Sequence, residues 1–494
     1  MTRTPRKPAW WAALIPFGAL VAAIVCVIRF FGSDSLSGAS QVALLFAAAV
    51  VVTISMAVYH TPWKVLEEAV AENIRSIGTA LLILFLIGGI SGTWMVSGIV
   101  PTLIYYGMQV ITPRIFLFAA CIICALVSVM TGSSWTTIAT IGVALIGIGT
   151  AEGYSTGWTA GAIISGAYFG DKISPLSDTT VMASSSAGTK LFEHIRYMLF
   201  TTVPSIVIAL VVFLVVSLTH ESSLAAEEST IAAGLQSTFR ITPWVLLVPA
   251  ATGILIARKV PAIITLTCAI LMAAVAALIF QPGLIWSIAQ DAQPAAFGGH
   301  LHFPEAFRGT MISIYSSTGI DTGNEALNSL VETRGMNGMM STVFLIICSV
   351  TFGGCLIGSG MMQSLTEALM KFIKGRTSLV GATVGTGIFA NMITGDQYIS
   401  IILTCSLFGK LYKSRGYEAR LLSRSTEDSA TITSVLIPWN SCGMTQSTVL
   451  KVPTLDYLPY CVFNYISPLM SILVAAIGWK IFRKEPEQAQ PADQ

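Results

Sequence analysis

The segment from residue 170 to residue 180 concentrates side chains that can do chemistry. Two carboxylates, one lysine and four hydroxyls flank Pro175. Proline removes a backbone donor and disfavours helix at the residue before it, so a helix is predicted to break here. Carbonyls freed by such a break, together with hydroxyls and carboxylates, supply the oxygen ligands that a small hard cation requires.

We therefore predict a cation site in this segment. The predicted ligands are Asp178 as the principal one, then Asp171, Ser177 and Thr179, with Lys172 as the candidate counter-ion. The alternative is a cytoplasmic loop whose charges have no role. The site is favoured because charges buried in a membrane are costly and usually functional.

The composition indicates that most of the chain lies in lipid. Of 494 residues, 54% are hydrophobic and 11% are charged, and the mean hydropathy is +0.75. Uncharged runs near the ~20 residues that span a bilayer recur along the chain, and they lack the alternation of a β-barrel strand. The predicted fold class is an all-α integral membrane protein with roughly 11–14 membrane segments.

Landmark residues recur in the same order in two parts of the chain, which predicts a duplication. Gly92, Ser97, Gly98 and Leu103 return as Gly354, Ser359, Gly360 and Leu365, the tract 131–135 is echoed by 394–398, and Asp178 is matched with Asp428. Short basic loops stay cytoplasmic, and the last helix of the first copy starts at Lys190 whereas that of the second ends at Lys480. The copies are therefore predicted to be inverted, a pattern typical of transporters with a midplane site.

The charge pattern and the repeats together predict the organisation of the chain. It comprises an N-terminal two-helix extension (1–60), repeat 1 (68–220), connecting helices with an external loop (241–320), repeat 2 (330–482) and a polar cytoplasmic tail (483–494). Both termini are predicted to be cytoplasmic.

The uncharged run 115–151 is too long for a single crossing, and the polar residues 131–134 lie near its middle. Two interpretations stay open. One is a re-entrant hairpin with its tip inside the membrane, which is tolerated only where it is buried or lines a cavity. The other is an ordinary short loop between two full helices.

The repeated tracts add further candidate ligands. They are Asp428, Ser429 and Thr431 in the second copy, Asn391 and Asp396 in its companion tract, and Ser133 and Ser134 in the first copy. Bound sodium is expected at Asp178 and Asp428. Glu427 is not included, because it can equally close the basic loop that precedes it.

The string Gly170-Asp171-Lys172-Ile173-Ser174-Pro175-Leu176-Ser177-Asp178-Thr179-Thr180, with Ala187-Gly188-Thr189 and His194-Ile195-Arg196 downstream, resembles the signature of the NhaC family of sodium/proton antiporters. The resemblance spans most of the chain. It implies a bacterial cytoplasmic-membrane carrier of the ion-transporter superfamily, which exchanges Na⁺ for H⁺ and is built from inverted repeats with re-entrant hairpins and interrupted helices. Some members of the family exchange organic acids or amino acids with sodium coupling.

Other function classes fit the residues less well. GxxxxGK[ST], HExxH and GxSxG motifs do not occur, so we expect neither enzyme activity nor a cofactor. Two alternatives stay open: a channel, and a sodium- or proton-coupled antiporter of small organic acids or amino acids, for which the predicted site offers only Lys172 as a cation. The expected partners are Na⁺, H⁺ and the lipid bilayer, and no nucleic acid is expected. A homodimer is left open.

Overall fold

The computed structural model describes residues 6–31, 38–220, 225–258, 260–292, 298–322, 327–328, 331–371 and 373–482. Within these ranges the chain is helical and holds no β-strand, as the composition predicts. The predicted tail at 483–494 lies outside the described residues.

The α-helices are α1 (Leu14–Phe31), α2 (Ala39–Ala57), α3 (Trp63–Ser76), α4 (Gly78–Val96), α5 (Ile99–Val110), α6 (Phe116–Thr131), α7 (Ser134–Thr137), α8 (Val143–Ala151), α9 (Thr156–Ile173), α10 (Asp178–Ala187), α11 (Leu191–Thr219), α12 (Ala225–Thr238), α13 (Leu247–Ala257), α14 (Ala262–Phe280), α15 (Pro282–Gln290), α16 (Phe303–Tyr315), α17 (Met340–Gly358), α18 (Met361–Met370), α19 (Arg376–Thr394), α20 (Gln397–Ser414), α21 (Ala419–Thr426), α22 (Ser441–Leu450), α23 (Thr454–Tyr457) and α24 (Val462–Ile477). Two π-helical turns, Ile138–Gly142 and Glu427–Thr431, continue α7 and α21.

Eight helical stretches in the described ranges are long and apolar enough to cross a membrane, or up to ten if two bent pairs count as one span each. This number is lower than the 11–14 segments expected from the sequence. The interrupted helices α9–α10 and α21–α22 account for part of the difference, because breaks and polar residues divide them into pieces too short or too polar to pass.

The run 115–151 folds as a helical hairpin, and each of its arms, Pro113–Thr131 and Ser134–Ala151, is long and apolar enough to cross a membrane. The Tyr154 hydroxyl, just after α8, donates to the carbonyl of Pro113, just before α6, at 2.7 Å. The rings of Phe116 and Tyr154 lie 5.4 Å apart. The two ends of the run therefore meet, and its middle forms a tip at Gly132, whose φ of +65° suits a glycine.

Helices α19 and α20 form a second hairpin with the same construction. At its base, Arg415 donates to the carbonyl of Ile373 at 2.8 Å. Its tip is at Gly395, whose φ is +67°. In both hairpins the residue after the glycine caps the next helix: Ser133 accepts from the backbone of Thr136, and Asp396 from the backbones of Tyr398 and Ile399.

The two hairpins open toward opposite ends of α11. Near its C-terminal end, Ser217 accepts from the backbone of Leu117 at 3.1 Å, at the base of the first hairpin. Nearer its N-terminal end, the ring of Phe200 lies 5.3 Å from that of Trp479. Three residues before Trp479, the Ala476 carbonyl accepts from Arg376 at the base of the second hairpin. A helix of 29 residues is about 43 Å long. The bases of the two hairpins thus lie at opposite ends of α11, as inverted repeats require.

The interrupted helices run in opposite directions between the hairpins. The first, α9–α10, breaks at residues 174–177, as Pro175 predicts. The second, α21–α22, breaks at residues 437–440. Each break touches a hairpin tip: Leu176 lies against Gly132, and the Ser441 backbone donates to the carbonyl of Gly395 at 2.7 Å.

The ends of α10 and α22 change the alignment of the two copies that the sequence predicts. Ser177 caps α10 and Gly188 ends it in the left-handed region; Asn440 caps α22 and Lys451 ends it in the same way. Both helices have ten residues. The structural partner of Ser177 is therefore Asn440 and that of Asp178 is Ser441. The match of Asp178 with Asp428 is wrong, because similar residue types occur thirteen positions earlier in the second copy.

Candidate functional site

A buried ion pair joins the two interrupted helices. Lys172, in the last turn of α9, donates to Asp428 in the π-helical turn after α21, and both side chains are fully buried. The same Asp428 oxygen accepts from Thr201 at 3.2 Å and from Ser467 at 3.1 Å. Lys172 also donates to Ser467, at 3.0 Å. Four segments that are distant in sequence thus converge on one carboxylate.

The match of Asp428 with Asp178 predicts a non-helical break at residues 428–433 like the one beside Pro175, and this prediction is wrong. Residues Glu427–Thr431 form a π-helical turn, and the break comes later, at 437–440. Two side-chain amides donate to carbonyls of this stretch, Asn391 to that of Ala430 and Asn464 to that of Ile432. Wide turns of this kind are rare and often occur at functional sites.

Glu427 makes a second link between the interrupted helices. Its Oε1 accepts from the Thr179 hydroxyl at 3.2 Å, and the hydroxyls of Thr179 and Ser177 are 3.0 Å apart. Glu427 is fully buried. Across the described part of the chain, its Oε2 and the Asp428 Oδ2 have no hydrogen-bond partner. The predicted ligands Ser177 and Thr179 therefore lie beside Glu427, which is not among the predicted ligands.

Asp178, the predicted principal ligand, is the first residue of α10 and is exposed. It follows Ser177, whose hydroxyl accepts from the backbone of Thr180. Its carboxylate lies within electrostatic range of Asp171. Among the described residues, no hydrogen bond joins Asp178 to Asp428, whereas their neighbours Thr179 and Glu427 are in contact.

Asp171 and Asp396 each bind a serine at a hairpin or a break. Asp171 accepts from the Ser134 hydroxyl at 2.7 Å and from its backbone at 3.1 Å. Asp396 accepts from the Ser441 hydroxyl at 3.0 Å. Each contact thereby joins a hairpin tip to an interrupted helix. In both cases the carboxylate lies at the N-terminus of a helix, where negative charge is stabilised.

The other predicted ligands lie around this centre. Ser429 donates to the carbonyl of Ser425 at 2.7 Å within its own helix, and the buried Thr431 hydroxyl has no partner among the described residues. Tyr398, which follows the second hairpin tip, lies within electrostatic range of Asp178, Asp396 and Asp171. The two tips and the first break therefore face one central region.

Within the described ranges, no group of three or more His, Cys, Asp or Glu side chains could hold a metal ion. A transported sodium ion would instead rely on a carboxylate together with hydroxyls and carbonyls, which are abundant around Thr179 and Glu427.

Several central residues were not predicted. Thr201 and Ser467 are single hydroxyls inside apolar helices, and nothing in their local sequence indicates a role. Arg424 is fully buried although it closes a basic run. His194 is buried and its Nδ1 lies 2.8 Å from the Ser423 hydroxyl. For Arg424 and Glu427, the signal was their place beside Asp428, where a charge inside a membrane segment implies function.

Comparison with known proteins agrees with this architecture. The family described as the Na+/H+ antiporter family matches residues 6–188 and 166–479. The chain is 35% identical to the Na(+)/H(+) antiporter NhaC of Bacillus subtilis, over 88% of this chain and 91% of that one. It is 31% identical to the arginine/ornithine antiporter ArcD of Halobacterium salinarum, over 98% and 95%. It is 34% identical to the malate-2H(+)/Na(+)-lactate antiporter of Bacillus subtilis, over 84% and 85%. The chain therefore belongs to the Na+/H+ antiporter family.

Proposed function

We propose that this protein exchanges Na⁺ for H⁺ by alternating access, with both ions competing for carboxylates where the interrupted helices meet. The observation that carries the proposal is the contact of Thr179 with Glu427 beside the buried pair of Lys172 and Asp428. It places an uncommitted carboxylate oxygen, hydroxyls and broken backbone together in the interior.

The charges of this region favour a cation. Asp171, Asp178, Glu427 and Asp428 supply four carboxylates, whereas the same segments carry two cations, Lys172 and Arg424, and of these Lys172 is paired with Asp428. Buried charge without a partner is costly, so a bound sodium ion or proton lowers the free energy of the centre. Bound sodium requires an ionised carboxylate and a proton displaces it by neutralising that carboxylate, which makes one site sufficient for exchange.

The division of roles follows from exposure. Asp178 is exposed and is the carboxylate where an ion enters, while Glu427 is fully buried and holds the ion with the Thr179 hydroxyl. Lys172 keeps Asp428 neutralised as part of the framework. Because the two hairpins open in opposite directions, ions reach this centre from one side of the membrane and then from the other.

The basic residues support a cytoplasmic position for one end of the molecule. Lys190, Arg415 and Lys480 lie at the end of α11 that adjoins the base of the second hairpin. Under the positive-inside rule this end faces the cytoplasm, and the chain, including both termini, is oriented accordingly in a bacterial cytoplasmic membrane.

The test is sodium-dependent proton flux in everted vesicles across a pH series. Asp178→Asn and Glu427→Gln are each expected to abolish exchange, because an amide cannot carry the exchanged proton, whereas Asp178→Glu retains exchange with altered sodium affinity. Glu193→Gln, at an exposed pair with Lys190, is the matched control and should exchange normally. Near-normal exchange by both well-folded amide variants would refute the proposed site.

A further inference from the structure

Arg424 is a fully buried cation that the proposed sodium site does not use. It lies in the last turn of α21, three residues before Glu427. Its relative exposure is 0%, and its Nε, Nη1 and Nη2 have no hydrogen-bond partner among the residues that the structure describes. Its guanidinium is stacked on the ring of Tyr197, 4.5 Å from the centroid.

Such a group needs a compensating anion. A guanidinium stays protonated in proteins, so it cannot avoid the cost of burial by losing its charge. Among the described residues, none of the neighbouring carboxylates hydrogen-bonds to Arg424. Asp428, four residues later, accepts from Lys172, and Glu418 accepts from Arg420. Glu427 accepts from Thr179 through Oε1.

The free edge of Arg424 has the geometry that recognises a carboxylate. Stacking on Tyr197 occupies a face of the guanidinium and leaves the planar fork of N–H donors, which pairs with both oxygens of a carboxylate. The Tyr197 hydroxyl and the His194 Nε2 are also buried and, within the described chain, have no hydrogen-bond partner. They lie on α11 beside α21, since His194 contacts Ser423.

We propose that Arg424 is the binding group for a small organic carboxylate, with Tyr197 and His194 as neighbouring hydrogen-bonding groups. The sequence alone offered only Lys172 for an organic anion, but that lysine is paired with Asp428. The anion site is adjacent to the proposed sodium site and distinct from it, so it goes beyond sodium/proton exchange and does not depend on it.

The test uses the purified full-length protein in detergent with L-malate, L-lactate or acetate as probes and chloride as the reference anion. At constant sodium and pH, at least one of the carboxylates is expected to raise the thermal unfolding midpoint in a saturable way. Arg424→Lys keeps the charge but loses the fork, and it should weaken the half-saturating concentration by about tenfold. Tyr197→Phe keeps the stacked ring and is expected to weaken it by a few-fold.

The matched control is Arg415→Lys, at an arginine that donates to the carbonyl of Ile373 at the base of the second hairpin. It should respond to carboxylates like the wild type. A wild type that responds to none of the probes overturns the proposal, and so does an Arg424→Lys variant as sensitive as Arg415→Lys. Sodium-dependent proton flux of the wild type in chloride medium is measured separately, so failure of the exchange proposal is read independently of anion binding.

Discussion

The buried pair of Lys172 and Asp428 yields a quantitative prediction about stability. Replacing Asp428 by Asn leaves an ammonium in the interior with Ser467 as its remaining hydroxyl partner. Replacing Lys172 by Met leaves a carboxylate that still accepts from Thr201 and Ser467. Replacing both, as Lys172→Met with Asp428→Asn, removes both charges and leaves no ion unpaired.

The magnitudes follow from the burial of the pair. Unit charges ~4 Å apart attract by about 4 kcal/mol at an effective dielectric constant of ~20. Removing one partner of a buried pair costs about 3–5 kcal/mol, whereas exchanging both for apolar groups is often neutral. We expect Asp428→Asn near the upper end of that range and Lys172→Met near the lower, because Asp428 retains two hydroxyl donors. The double variant should lose much less than the sum.

The assay is equilibrium unfolding by SDS titration in mixed micelles, followed by tryptophan fluorescence, for the wild type, both single variants and the double variant. The coupling free energy of the cycle is expected to be about 3 kcal/mol or more. The exposed pair of Lys64 and Glu68, with nitrogen and oxygen 3.9 Å apart, is the control. Its coupling should stay below about 1 kcal/mol. Equal coupling in the two cycles would show that the central pair contributes no more than a surface one, and the reasoning would be refuted.

Two further predictions concern the hairpins. At the first tip, Gly132→Ala would place a Cβ 2.6 Å from Leu176 and should lower the free energy of unfolding by about 2–4 kcal/mol. Gly188→Ala, also at positive φ but in open space, should lower it by about 1–2 kcal/mol. Equal losses in the same SDS titration would contradict the packing of the tip against the break. Single cysteines at Ser414 and Thr219, in a background without native cysteines, should be labelled by an impermeant maleimide from opposite sides of the membrane, and labelling from one side would exclude the inverted arrangement.

Local sequence rules were sufficient for features that depend on a few neighbouring residues. Pro175 predicts the break at 174–177, because proline acts on its own backbone and on the residue before it. The recurring pair Ser97-Gly98 and Ser359-Gly360, which predicts a duplication, forms the same turn in both copies: Gly98 and Gly360 adopt φ of +81° and +74°, each just after a helix and a serine. These outcomes require no knowledge of distant contacts.

The candidate site could be predicted only in part, because it is assembled from residues far apart in the chain. Thr201 and Ser467 bind Asp428 only because α11 and α24 pack beside it. Glu427 is adjacent to Asp428 but follows the basic residue Arg424 by only three positions, so sequence could not tell a surface charge from a buried one. The register of Asp178 with Asp428 failed for a related reason, since matching residue types ignored the caps that define each helix.

The sequence by itself predicted the lipid environment, the helical class, the inverted arrangement of the copies and the first break, because these follow from composition, loop charges and backbone chemistry. Only the tertiary structure decided that the run 115–151 folds back at Gly132, that Lys172 is neutralised by Asp428, and that Arg424 is buried with no hydrogen-bond partner among the described residues. Such facts depend on which faces meet when helices pack. Pairing and burial of a charge are set by atoms from several segments, whose approach no local pattern specifies.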